Sequence, residues 1–264
     1  MPHGRPGMKV LGIDIGGTGI KGAVVDTKHG VLKTDRLRLL TPHPAEPEQV
    51  ADVVQTLTRH FDWSGPIGCT FPGVTKGGTI HTAANLVPDW VGRDAAALFG
   101  EATGCPVVLL NDGDAAGLAE VAFGAARGND GVVMMITLGT GIGTALVHGG
   151  RLVPNTEFGH VSLHGGDAEK YAAELVRERE NLTYEQWGRR VGEYLRMIED
   201  LIWPDLFVLG GGISKKADKF EGYLDCRTPV VAARLLNQAG IVGAALQAAR
   251  TGDKAKSKAK DKKK

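Results

Sequence analysis

Asp112 stands between an apolar run, Pro106–Leu110, and an Ala-rich stretch, Ala115–Ala126. A carboxylate at a strand end, above a helix N-terminus, can take a proton from a hydroxyl group. Its near neighbour Asp114 reads instead as the cap of that helix. Two glycine-rich turns offer a place for the other reactant. In the first, Asp14-Ile15-Gly16-Gly17-Thr18-Gly19-Ile20-Lys21, Gly16 and Gly17 permit a sharp turn and present bare N–H groups to phosphate oxygens. Thr18 adds a hydroxyl and Lys21 a point charge, and Asp14 can hold a hydrated divalent metal beside the phosphates. The spacing is neither a P-loop nor a dinucleotide-binding fingerprint. A plain glycine hairpin is the competing reading. In the second turn, Thr137-Leu138-Gly139-Thr140-Gly141-Ile142-Gly143-Thr144, hydroxyls and glycine amides again suit phosphate. Two such loops can grip one polyphosphate chain.

Glu157-Phe158-Gly159-His160 supplies a different chemistry. Glu157 and His160 lie three apart, so a turn or helix start puts them on one side. Glu, His and Asn are the fixed acceptors and donors that sugar hydroxyls need. A purely structural pair is the alternative. Glu169 follows at the start of a further helix.

The elements that must position these residues alternate. Lys9–Ile13, Gly19–Asp26 and Val31–Leu40 read as strands, the first two joined by the glycine turn as a hairpin. Glu46–His60 carries Val50, Val53, Val54 and Leu57 at helical spacing. Pro66–Phe71 and Pro106–Leu110 read as buried strands, with a short helix at Arg93–Gly100. Val132–Leu138 and Gly143–His148 repeat the strand–turn–strand pattern. Thr183–Ile202 is an amphipathic helix, Leu206–Leu209 a strand, and Gly240–Arg250 a closing helix. The repeated hairpin implies two similar α/β lobes of mixed sheet facing each other across a central cleft, where ligands usually bind. The expected division is a flexible N-terminus at 1–7, a small lobe at 8–110, a large lobe at 111–250 and a disordered tail at 251–264.

Composition sets the class. Of 264 residues, 42% are hydrophobic and 23% charged, an ordinary globular balance. Three widely spaced cysteines, with no CxxC or CxC, support neither a disulfide framework nor a cysteine zinc site. Reduced thiols fit a cytoplasmic protein. No apolar run reaches the roughly 18 residues of a membrane span, so no membrane partner is expected. The tail from Thr251 to Lys264 carries seven Lys and two Asp, leaving about −4 on the remaining body of a chain whose net charge is +1. That tail is a solubilising end or a polyanion-attracting arm. Nucleic acid is not expected as a partner.

Together, DIGGTGIKG, NDGDAAGLAE, LGTGIGTAL and EFGH resemble the ROK (repressor, open reading frame, kinase) family of sugar kinases. The resemblance covers roughly residues 8–250, with the four motifs in order. It implies the actin-like ATPase (ribonuclease H-like) fold, in two lobes, and a homodimer. By resemblance Asp112 is the base that deprotonates the sugar 6-hydroxyl, and Asn85, Asn111, Glu157, His160 and Glu169 hold the sugar. Asp14, Gly16, Gly17, Thr18 and Lys21 match the first phosphate loop, and Thr140 and Gly141 the second. Mg²⁺ is then expected with the donor phosphates.

One departure is informative. Many family members carry CxCGxxGC after the EFGH-like segment, whereas this chain reads HVSLHGGDAEKYAAE. No zinc is therefore expected beside His160. HGGDAEKYAAE, TFPGV and TIHTAANL resemble an actinobacterial subgroup that phosphorylates glucose from inorganic polyphosphate, some members from ATP as well. Lys21, Lys28, Lys33, Arg93, Arg151, Lys215 and Lys216 are candidates for a basic track along the polymer; each also reads as an ordinary surface charge. The alternative is an ATP-dependent kinase of glucose or of another hexose such as fructose, mannose or an N-acetyl hexosamine. A repressor of the same family would need a helix-turn-helix domain, for which seven residues before Met8 leave no room.

Overall fold

Alternating apolar residues and short glycine turns build the first sheet. β1 (Lys9–Gly16) and β2 (Gly19–Asp26) form the expected hairpin, in full antiparallel register from Lys9 against Asp26 to Gly16 against Gly19. The computed structural model describes residues 8–83 and 86–261. The third expected strand divides into β3 (Val31–Leu32) and β4 (Leu37–Leu39). The polar run Lys33–Arg36 between them has no apolar face to bury. After α1 (Pro47–His60) come β5 (Ile67–Phe71), the small hairpin β6 (Thr75–Lys76) and β7 (Thr79–Ile80), α2 (Ala95–Thr103) and β8 (Val107–Asn111). The strand order is β3-β2-β1-β5-β8, with β4 also on β2; β5 runs parallel to β1 and β8 parallel to β5. Its core holds Phe71, Trp90 and Phe99, with ring centroids 4.9 and 6.0 Å apart in sequence order.

α3 (Asp112–Phe123) leads into a second sheet. β9 (Val132–Leu138) and β10 (Ile142–His148) pair antiparallel, and β11 (Arg151–Val153) extends the edge. A hairpin of β12 (Ser162–Leu163) and β13 (Gly166–Asp167) precedes α4 (Glu169–Ala172) and α5 (Glu174–Arg179). α6 (Tyr184–Ile202) opens with a capping box between Thr183 and Gln186. β14 (Leu206–Gly210) and β15 (Val230–Ala232) complete the order β11-β10-β9-β14-β15, with β9, β14 and β15 parallel. This is the order of the first sheet repeated, so the two glycine hairpins occupy the same place in each.

The chain divides into two compact units at Ala115/Ala116 and again at Ala239/Gly240. The closing helix α7 (Ala239–Asp261) therefore belongs with the first unit, not with the second lobe as the sequence suggested. The reason lies in two strand glycines. A Cβ on Gly12 would sit 2.2 Å from the Ile241 carbonyl oxygen, and one on Gly68 2.0 Å from that of Ala244. The helix lies on β1 and β5 at backbone distance, a contact that only glycine permits. Helical backbone also continues to Asp261, beyond the Arg250 end and into the tail expected to be disordered; Ala and Lys are good helix formers.

Candidate active site

In the first unit, parallel pairing places Asp14 beside Thr70 and antiparallel pairing places it beside Lys21. The buried Thr70 hydroxyl donates to Asp14 Oδ1 at 2.9 Å and accepts from Ile15 N–H at 3.1 Å. Lys21 Nζ donates to Asp14 Oδ2 at 3.3 Å. Asp14 is thus a fixed, partly exposed carboxylate beside a cation. Gly16 and Gly17 behave differently from expectation. Neither has a φ in the left-handed region, and a Cβ on Gly17 would meet nothing within 4 Å. Their effect is to leave backbone bare, with Gly17 and Thr18 exposed. The loop is braced from outside: Thr41 Oγ1 donates to Gly16 O at 2.5 Å and Arg38 Nη2 to Thr18 O at 3.0 Å.

Asp112 is the first residue of α3 and is exposed, where the helix dipole favours its anion. The cap is not Asp114 but Asn111. The side-chain oxygen of Asn111 accepts from Asp114 N–H at 3.0 Å, and its amide donates to Gly73 O at 3.2 Å. Asn111, expected against the sugar, is 9% exposed and serves the fold through both ends of its amide. Asn85 lies outside the described residues.

In the second unit, three side chains converge on His160. Nε2 is 3.8 Å from Glu157 Oε2; Nδ1 is 3.6 Å from Asp167 Oδ2 and 3.9 Å from Glu169 Oε1. Partial desolvation raises the Glu157 carboxyl, whose side chain stays 40% exposed, above its ordinary range; His160 opposes this and Glu169 adds to it. Glu169, at the start of α4, is tied to the second glycine turn. Its Oε2 accepts from Ile142 N–H at 3.3 Å, and a Cβ on Gly141 would sit 2.4 Å from that oxygen. Thr140 is exposed at the tip of the turn.

Sequence reasoning missed what holds Glu157. Thr144, counted among the phosphate hydroxyls, is 3% exposed. Its hydroxyl donates to Thr156 O and accepts from Phe158 N–H at 3.2 Å, clamping both neighbours of Glu157. Gly159 completes the turn: a Cβ there would lie 2.2 Å from Ile142 O. The signal was present, since a Thr inside an apolar strand must find a partner.

Among the described residues, one group of His, Cys, Asp and Glu has ligand atoms close enough to share an ion: His160, Asp167 and Glu169, within 4.8 Å of one another. It contains no cysteine, and Lys170 Nζ is 3.3 Å from Asp167. That set differs from the cysteine-rich tetrahedral cage of a structural zinc. Of the suggested basic track, Lys21 is paired with Asp14 and Arg93 with Glu48; Lys28, Lys33, Arg151, Lys215 and Lys216 are exposed. No helix among the described residues is long and apolar enough to cross a membrane.

Residues 10–175 match the ROK family, and the chain belongs to it. It is 52% identical over 237 residues to the polyphosphate glucokinase of Mycobacterium tuberculosis, 89% of each chain, and 48% identical to that of Mycobacterium leprae. Among solved structures it resembles the inorganic polyphosphate/ATP-glucomannokinase of Arthrobacter sp. strain KM. That likeness has a TM-score of 0.86 and 47% identity, over 92% of this chain and 99% of the other. A ROK family glucokinase from Streptomyces griseus, in complex with glucose and AMPPNP, gives a TM-score of 0.77 at 26% identity, over 92% and 100%. The fold is accordingly the actin-like ATPase fold of these kinases.

Proposed function

We propose that this chain transfers a phosphoryl group from inorganic polyphosphate, and also from ATP, to O6 of glucose. The observation that carries the proposal is the 52% identity to polyphosphate glucokinases across 89% of both chains. Glu157, His160 and Glu169 support it as a sugar-holding set, since their acceptors and donors suit vicinal hydroxyls.

In the reaction the O6–P bond forms as the bond from that phosphorus to the leaving phosphate oxygen breaks. Asp112 accepts the O6 proton, and the shortened polyphosphate or ADP departs. The protein's work is alignment and charge stabilisation. Asp14, Gly16, Gly17, Thr18 and Lys21 take the donor phosphates, with Thr140 and Gly141 on the second turn. Mg²⁺ fits Asp14: a single partly exposed carboxylate beside bare amides matches an ion that keeps its waters and takes its other ligands from phosphate. Bound there, it would neutralise donor charge. Asn85 completes the sugar contacts, while Asn111 supports Asp112 from its cap position, and the enzyme works as a cytoplasmic homodimer.

A coupled glucose 6-phosphate assay tests the donor, with polyphosphate and ATP each supplied with and without Mg²⁺. Turnover with polyphosphate is expected; turnover with ATP alone would move the chain to the ATP-dependent reading. Mannose belongs in the substrate panel because the Arthrobacter neighbour is named a glucomannokinase.

A further inference from the structure

His160 sits on a single 3-10 turn with its side chain 52% exposed. A ring in that position rotates unless something fixes it, and a hydroxyl contact needs a fixed ring and a defined tautomer. Three carboxylates face it, and two are already engaged. Glu157 and Glu169 both belong to the proposed sugar set; Glu169 holds the Ile142 amide through Oε2, and its Oε1 lies 3.9 Å from His160 Nδ1. Asp167, 3.6 Å from Nδ1, has no role in the proposed reaction.

We propose that Asp167 is a positioning residue for the sugar site. It holds the His160 ring through Nδ1. A carboxylate only accepts, so Asp167 favours the tautomer with hydrogen on Nδ1. Nε2 is then the lone-pair side, presented with Glu157 to a sugar hydroxyl. At 3.6 Å the two groups interact through charge, at a distance longer than a formed hydrogen bond.

The surroundings make Asp167 a firm support. It ends the β12–β13 hairpin, paired with Ser162, and Ala168 N–H donates to Val161 O at 2.9 Å. At the hairpin tip, His164 has φ +53° and its Nε2 lies 2.8 Å from Glu193 Oε2 on α6. Tyr171 donates to the same oxygen at 3.1 Å. On the other side, Tyr194, also on α6, donates to Phe158 O at 3.3 Å. One helix therefore anchors both the turn that carries His160 and the hairpin that carries Asp167. Lys170 provides Asp167 with a second, exposed partner.

What His160 touches rests on the sugar-kinase reading; what orients it does not. The test separates the two. Nitrogen-15 NMR of the sugar-free protein should show the Nδ1–H tautomer of His160 in the native chain and a mixture in Asp167→Ala. In kinetics, Asp167→Ala should raise glucose KM about tenfold or more with kcat within about twofold, the size of a lost charged hydrogen bond. Asp167→Asn, which keeps an acceptor oxygen, should recover most of that loss. Lys170→Ala should change KM less than about twofold. An unchanged tautomer and KM in Asp167→Ala would overturn the proposal. So would equal loss in the Ala and Asn variants together with a lowered melting temperature, or stoichiometric zinc in the native protein whose removal raises KM. Failure of the native chain to phosphorylate glucose would instead sink the functional reading and leave the tautomer result standing.

Discussion

In the first sheet the β1–β2 hairpin sets Asp14 against Lys21; in the second, the β9–β10 hairpin sets Thr137 against Gly143. Both hairpins adjoin a parallel strand in the same order, yet only the first carries charge. In the second, the amide next to the turn is spent on Glu169. The strand ends differ as well. β8 finishes at Asn111 with Asp112 following, whereas β15 finishes at Ala232. One topology has been used twice, with the Asp14–Lys21 ion pair on one copy and the carboxylates around His160 built around the other.

The largest test of that asymmetry removes the carboxylate proposed as the base. Asp112→Asn should lower kcat by about 10²- to 10⁴-fold while glucose binding, measured by calorimetry, survives. Near-normal turnover would remove Asp112 from its role. Next comes a matched pair at the hairpins. Asp14→Asn should raise the KM for polyphosphate about tenfold through lost charge-assisted bonding, while Thr137→Ala changes it less than about threefold. Equal effects would mean that both hairpins hold the donor alike.

The third comparison uses the turn glycines. Gly141→Ala should raise glucose KM several-fold, because the new methyl displaces the Glu169 carboxylate. Gly17→Ala, in open space, should leave glucose KM unchanged. The smallest effect is in pH. Glu157 has a raised pKa, so it takes up its proton at higher pH than an ordinary glutamate near 4.5. If the anion holds glucose, KM should climb as pH falls, beginning above that value. The same shift means the ionised side chain costs stability at neutral pH and the cost fades as pH falls. Glu157→Gln should then hold or raise the melting temperature at pH 7 while raising glucose KM. A lowered melting temperature there would contradict this sign.

The hairpins were legible because their pattern is local: alternating apolar residues meet across a turn of two or three residues. β5, β8 and β14 are legible as apolar runs, but their parallel pairing is not, and neither is β15, because these partners are brought in from far along the chain. The start of α3 was read three residues late because Asn111 and Asp114 are both good caps, and only the strand end decides between them. The proximity of Glu157 and His160 is legible in their motif, and Glu169 stands at the start of the helix that follows. The clamp that Thr144 makes is not legible locally, because it depends on Thr156 and Phe158 folding back against it. The placement of α7 had a faint local signal, a glycine inside each of two apolar strands.

Gly12 and Gly68 have a temporal meaning too. The second unit is one continuous stretch of chain, whereas the first receives α7 only after that stretch has been made. On the ribosome, the strands translated earliest hold an unfilled face until the last helix emerges, and the contiguous unit is free to fold ahead of them. The unit that begins the chain is the one whose last element is synthesised last.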